Sequence, residues 1–311
     1  MGYLEVLILA AVQAAAELLP VSSSAHVVVA EKWMGIDPSS PRATFLLVML
    51  HTGTMFAVLL YFWPRWRALM FGPSPAHPPH GETPSSPAPS SPGSPWHFPT
   101  MVAIATAVTL VVGVGLILGI EKGLAKLTGR DASEVEELFK NLPLMGLALF
   151  AVGLVIIEAG VRDKGTNSAP LDGRAAAIIG AVQGLCLPLR GFSRSGATIS
   201  TSLFLGIPRA LAEDFSFALA VVITPPAILR QLLRVLKKTD YKLTPELTDM
   251  VVPGLVGMVL AFLFGLLALR FLSSLLEQGR WKYFGYYCLA FAAVVWIQAY
   301  RGGELAGWFH S

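Results

Sequence analysis

Two short polar stretches interrupt an otherwise apolar chain. The first reads Gln13-Ala-Ala-Ala-Glu17-Leu-Leu-Pro20-Val-Ser22-Ser23-Ser24-Ala-His26. Gln13 and Glu17 stand four residues apart, so on a helix they share one face. An ionisable side chain inside an apolar helix costs roughly 2.5–3.5 kcal/mol on insertion scales. Glu17 therefore needs a cation, a proton, an arginine or a path to water. Pro20 stops the helix, and three consecutive hydroxyls and an imidazole follow. Serines after a proline often do no more than cap a helix. Here they directly follow Glu17 in apolar sequence, and a serine three residues from a histidine sets a nucleophile or donor beside a titratable base.

The second stretch reads Gly191-Phe192-Ser193-Arg194-Ser195-Gly196-Ala197-Thr198. Two glycines let backbone N–H groups approach an anion. The hydroxyls add donors, and the planar fork of Arg194 matches phosphate oxygens. Apolar sequence resumes after Gly196, so the motif is read as opening a helix whose positive end faces the anion. The plainer alternative pairs Arg194 with Glu17 and stops there. Taken together, the two stretches supply a carboxylate, hydroxyls, an imidazole and a guanidinium. That set suits phosphoryl transfer, in which positioning and charge neutralisation do most of the work.

The elements that must position these groups are membrane helices. Of the 311 residues, 54% are hydrophobic and 14% charged, against about 25% charged in a soluble domain, and the mean hydropathy is +0.62. Apolar stretches at 44–63, 99–120, 143–161, 213–229, 249–272 and 283–299 approach or reach the roughly 20 residues that span a bilayer. Two shorter ones, 3–19 and 175–189, end in the polar motifs. Short apolar helices that stop at polar backbone predict re-entrant hairpins, because irregular backbone at membrane depth survives only where protein buries it or water reaches it. A site flanked by lipid admits a substrate with a hydrocarbon tail, although location alone does not name the lipid.

A shift of 170 residues superposes Ile8, Ala11, Val12, Gln13, Leu19 and Ser23 on Ile178, Ala181, Val182, Gln183, Leu189 and Ser193. The same shift brings Phe45, Thr54, Ala57 and Leu59 onto Phe215, Thr224, Ala227 and Leu229. Two related halves, each a broken helix, a polar turn and a span, predict a site at their interface within the membrane. The expected fold is all-α and polytopic: one membrane domain over 1–311 with two repeats, inverted in this reading, whose motif halves occupy 1–72 and 171–240. Residues 73–98, rich in proline and serine, predict a loop, and its His77, His80 and His97 lack a frame that would make them metal ligands. Residues 128–141 fit an amphipathic surface helix.

Cys186 and Cys288 are expected as buried thiols. His51, followed by Thr52-Gly53-Thr54, is expected as a hydrogen-bonded packing histidine, with contact to the cavity as the alternative. Glu213 and Asp214 are expected as N-terminal caps, and Glu158 with Arg162 as an i,i+4 pair. No cleavable signal peptide is evident. A net charge of +3 without a basic aromatic patch argues against nucleic acid as a partner. Orientation stays divided. Arg65, Arg67, Arg162, Lys164 and Arg174 argue for cytoplasmic loops, but so do Arg230, Arg234, Lys237 and Lys238, which an inverted repeat places on the other side.

These motifs resemble those of the undecaprenyl-diphosphatase family of the bacitracin-resistance type. The first looks like that family's acidic segment followed by Pro-Val-Ser-Ser-(Ser/Thr)-x-His, and the second like its Pro-Gly-x-Ser-Arg-Ser-x-x-Thr. Glu213-Asp214-Phe215-Ser216-Phe217 also fits. The resemblance implies an inverted-repeat membrane fold and hydrolysis of undecaprenyl diphosphate to the monophosphate on the outer face of a bacterial inner membrane. It thereby implies recycling of the carrier lipid for peptidoglycan synthesis. It further implies a divalent cation, Mg²⁺ or Ca²⁺, held by Gln13 and Glu17. Glu17, Ser23, His26 and Arg194 become catalytic candidates, and Ser22, Ser24, Gly191, Ser193, Ser195 and Thr198 phosphate-binding ones. Two positions depart from the pattern: Gln13 replaces the more usual glutamate, and Arg190 the leading proline, with Pro188 two residues earlier. A transporter or flippase for an anionic polyprenyl lipid is the alternative. The type 2 phosphatidic acid phosphatase pattern needs a histidine where Ser200 stands. Oligomeric state is not legible.

Overall fold

A computed structural model describes residues 2–38, 40–71, 96–128, 141–238 and 245–303. Among them every regular element is an α-helix: α1 (Tyr3–Leu18), α2 (Ser23–Trp33), α3 (Pro41–Phe71), α4 (His97–Thr128), α5 (Leu142–Arg162), α6 (Gly173–Cys186), α7 (Arg194–Phe204), α8 (Arg209–Lys238), α9 (Pro245–Glu277) and α10 (Lys282–Arg301). Six of these, α3, α4, α5, α8, α9 and α10, are long and apolar enough to cross a bilayer. The chain is a polytopic, all-helical membrane protein. The apolar stretches read from the sequence sit inside these helices, which run on past them at both ends. The proline-rich loop read over 73–98 falls outside the described residues up to 95, and so does most of the 128–141 segment. His97 belongs to the start of α4 and its Nε2 meets the Leu171 carbonyl at 2.9 Å.

The short helices alternate with the long ones in a set order. α1, α2 and α3 run 16, 11 and 31 residues, and α6, α7 and α8 run 14, 11 and 30. α1 packs against α2 and α9, and α6 against α7 and α4. α1 stops because Leu19, which precedes Pro20, is extended at φ −76°, ψ 153°, the conformation that a following proline favours. α6 starts on Asp172, whose carboxylate accepts the Ala175 N–H at 2.8 Å, a side-chain cap for an otherwise unpaired donor.

Glycine sets how closely the long helices approach. A Cβ on Gly53 of α3 would overlap the Met258 carbonyl of α9, and one on Gly180 of α6 would overlap the Ala105 carbonyl of α4. α5 and α10 meet through Gly153 and Gly285. Small residues at such crossings let backbones touch, which is how helices gain packing energy where lipid removes the hydrophobic drive. A buried ionic cluster ties α3 to α8 away from the polar motifs. Arg65 lies 3.2 Å from Glu213 and 3.0 Å from Asp214. Ser273 donates to Glu213 at 2.6 Å and Tyr61 donates to Ser273 at 3.0 Å. Glu213 and Asp214 are thus inside α8 and paired across the bundle, where capping was expected. Glu158 and Arg162 do form their i,i+4 pair, and both cysteines are buried free thiols.

Candidate active site

The two polar motifs meet. A cavity of about 110 Å³ is lined by Ala16, Glu17, Ser22, Ser23, Ser24, Phe192, Ser193, Arg194 and Ser195. That is well below the roughly 300–1,000 Å³ of pockets that enclose a whole organic ligand, so it fits a headgroup and leaves a long tail outside. The motifs also bond to each other, the Gly191 N–H donating to Ser24 Oγ at 3.1 Å.

Two of the walls are helix beginnings, and the last turn of α1 supplies Ala16 and Glu17. Ser22 is the N-cap of α2 and Ser193 that of α7, so two helices present unpaired N–H groups and positive dipole ends to one space. Ser193 Oγ accepts the Gly196 N–H at 3.2 Å. The Ser22 side chain makes no such bond to its helix and lies 3.2 Å from Ser24 Oγ. Ser22 holds φ +70°, and it is the sole non-glycine residue with positive φ among the described residues. That conformation costs on the order of 1–3 kcal/mol and persists only where its surroundings hold it. Gly191, at φ +92°, must be glycine for a second reason: a Cβ there would run into the Met145 backbone.

Glu17 is the hub. Ser23 donates to its Oε2 at 2.5 Å, Arg194 Nη2 lies 3.4 Å from its Oε1, and His51 Nε2 lies 3.8 Å from Oε2. All three charged or titratable side chains are partly exposed, Glu17 18%, Arg194 23% and His51 25%, which leaves them open to a ligand. A serine hydroxyl on a carboxylate, with a third group orienting that carboxylate, is the geometry of an activated nucleophile. His51 combines the two readings made of it: its Nδ1 meets the Leu47 carbonyl at 2.8 Å and its other nitrogen faces Glu17. No local signal decides between them in the sequence, since a histidine bonded to its own helix looks the same whichever way its far nitrogen points.

Not every expected residue reaches the cavity wall. His26 is buried. Its Nδ1 meets the Ser22 carbonyl at 2.8 Å, its Nε2 meets Tyr287 OH at 2.8 Å, and its ring stacks on Phe291 with centroids 3.7 Å apart. Thr198 is fully buried one turn into α7, bonded to the Arg194 carbonyl at 2.9 Å and to Ser216 at 2.6 Å. Gln13 is buried one turn before Glu17, and neither atom of its amide has a hydrogen-bond partner. The amide lies beside the Glu17 carboxylate, and its oxygen could join that carboxylate in holding a cation. Among the described residues no cluster of three His, Cys, Asp or Glu is present to cage a metal. The donor set therefore fits a hard cation held by one or two protein oxygens with the remainder from a phosphate, as is usual for Mg²⁺.

Fold and site together define a polytopic membrane protein with a polar chamber at two helix N-termini. Residues 6–294 match the model of the family described as bacitracin resistance protein BacA. The chain belongs to that family. It is similar to undecaprenyl-diphosphatase 2 of Acinetobacter baylyi, at 50% identity over 298 residues, covering 95% of this chain and 97% of the relative. It is 32% identical to the undecaprenyl-diphosphatase of Desulfosudis oleivorans, covering 93% and 96% of the two chains. It is also 30% identical to that of Korarchaeum cryptofilum, covering 92% and 95%.

Proposed function

We propose that this chain hydrolyses undecaprenyl diphosphate to undecaprenyl phosphate and inorganic phosphate, the activity for which its relatives are named. The observation that carries the mechanism is the Ser23–Glu17 hydrogen bond at 2.5 Å with Arg194 beside it. In this reading the diphosphate enters the cavity with its prenyl tail in lipid. Arg194 turns from Glu17 to the terminal phosphate, and the first N–H groups of α2 and α7 neutralise the rest of the charge. Glu17 takes the Ser23 proton. Ser23 Oγ then forms a bond to the terminal phosphorus as the bond from that phosphorus to the bridging oxygen breaks, and undecaprenyl phosphate leaves. Glu17 passes that proton to the departing phosphate oxygen and, a carboxylate again, takes a proton from the water whose oxygen bonds to phosphorus as the bond from phosphorus to Ser23 Oγ breaks, which frees inorganic phosphate and returns the proton to Ser23.

Gln13 and Glu17 would hold a divalent cation, Mg²⁺ or Ca²⁺. When bound, such an ion neutralises charge on the phosphate oxygens. Ser22, Ser24, Ser193 and Ser195 offer further donors to the phosphates. The near-equal lengths of α1–α3 and α6–α8, and the exchanged packing of α1 on α9 and α6 on α4, support inverted repeats with re-entrant hairpins. In that architecture the chamber lies at membrane depth and opens to the outer face of the bacterial inner membrane, where the released carrier lipid re-enters peptidoglycan synthesis. The test is inorganic phosphate released from undecaprenyl diphosphate by the purified chain in detergent, with and without chelator. Steady, chelator-sensitive release is expected. A flippase for an anionic polyprenyl lipid would release none.

A further inference from the structure

The α1–α2 turn that carries Ser23 is gripped from the far end of the chain. Tyr287 and Cys288 are consecutive residues of α10. Tyr287 OH lies 2.8 Å from His26 Nε2, and His26 Nδ1 lies 2.8 Å from the Ser22 carbonyl. One residue further along α10, the Cys288 thiol donates to the Pro20 carbonyl at 3.4 Å. The two contacts hold the turn on either side of Val21, and the turn contains the strained Ser22.

The partners fix the protons. A carbonyl oxygen only accepts, so Nδ1 of His26 carries hydrogen. In the neutral ring Nε2 is then the acceptor, and the Tyr287 hydroxyl must be the donor. Both nitrogens are thereby used, the ring stacks on Phe291 with Tyr287 at its edge, and His26 is absent from the cavity wall. We infer that Tyr287 and His26 are positioning residues, a relay from α10 that holds Ser22 at positive φ and so aims the Ser23 hydroxyl at Glu17, and that His26 transfers no proton in the reaction. This inference rests on Ser23 being the attacking group.

The experiment is steady-state phosphate release from undecaprenyl diphosphate by the purified full chain, with thermal unfolding measured on each variant. Tyr287→Phe keeps the ring and loses one neutral hydrogen bond. Its kcat is expected to fall about three- to tenfold, with KM little changed because Arg194 and the α7 N-terminus are untouched. His26→Ala is expected to lose about a hundredfold in kcat, the scale of an ångström-sized misplacement. His26→Asn, whose amide nitrogen can replace Nδ1 as donor to Ser22, should recover about tenfold of that loss. A proton-transferring His26 would leave the Asn variant as inactive as the Ala variant, and that result would overturn the inference. So would a Tyr287→Phe enzyme with wild-type kcat, which decides the matter if the His26 variants do not fold. Ser23→Ala separates the two readings: residual turnover there would remove the nucleophile assignment, whereas a dead Ser23→Ala beside an unaffected Tyr287→Phe removes only the relay.

Discussion

At saturating divalent cation, which offsets the charge lost from the cation's ligands, replacing Glu17 with glutamine tests the proton-accepting role of that carboxylate. The substitution is isosteric, and the amide oxygen can still accept from Ser23 Oγ, which now stands 2.5 Å from Oε2. What is lost is the capacity to take the proton. General-base catalysis contributes about 10²- to 10⁴-fold, so kcat should fall within that range. Arg194 loses its ion-pair partner at 3.4 Å, but both side chains are about one-fifth exposed, and the pair is long. The stability cost should therefore stay near the roughly 1 kcal/mol of a solvent-reached ion pair, and the protein should remain folded. Arg194 is left free for the phosphate, so KM should not rise. The assay is kcat and KM from phosphate release, paired with thermal unfolding of the same sample. A Glu17→Gln enzyme that keeps more than a tenth of the wild-type kcat would refute the assignment of Glu17 as base to Ser23.

Other perturbations test other parts of the account. Gly191→Ala should cost about 1–3 kcal/mol from positive φ alone. The Cβ cannot be placed without moving the Met145 backbone, so both kcat and the unfolding temperature should drop. Gln13→Glu adds a second carboxylate one turn from Glu17, and the cation concentration for half-maximal activity, measured by titration after chelation, should decrease. Arg65→Ala strips Glu213 and Asp214 of their cation in a buried cluster. Leaving buried acids unpaired costs on the order of 3 kcal/mol, so the unfolding temperature should fall while the remaining folded protein keeps its kcat.

The core of the site was legible because its residues are expensive where they stand. Glu17, Ser22–Ser24 and Ser193–Ser195 interrupt apolar helices, and only a polar cavity compensates that expense, so their convergence could be expected from sequence. α1 and α6 were legible through Pro20 and the polar turns that end them. What escaped were residues whose meaning depends on partners far along the chain. For His51 cavity contact was legible as one of two readings, but that it reaches Glu17 from α3 was not. Tyr287 is one of several aromatics in α10 and differs from Tyr283 and Tyr286 only in what its hydroxyl meets. Glu213 and Asp214 read as helix caps because acids near a helix start commonly are, but the helix begins at Arg209 and their partner Arg65 lies 148 residues upstream of Glu213. His26 was legible as a member of the motif; the sequence held no sign that both its nitrogens are occupied.

The central claim is that both motifs act on one phosphate. Arg194 tests it most directly, because it lies on the second motif and pairs with Glu17 of the first. Phosphate release from undecaprenyl diphosphate should fall at least about a thousandfold in Arg194→Ala, the scale seen when a phosphate-clamping arginine is removed, with the unfolding temperature held near that of the unaltered chain. Near-normal release from a folded Arg194→Ala protein would contradict the account.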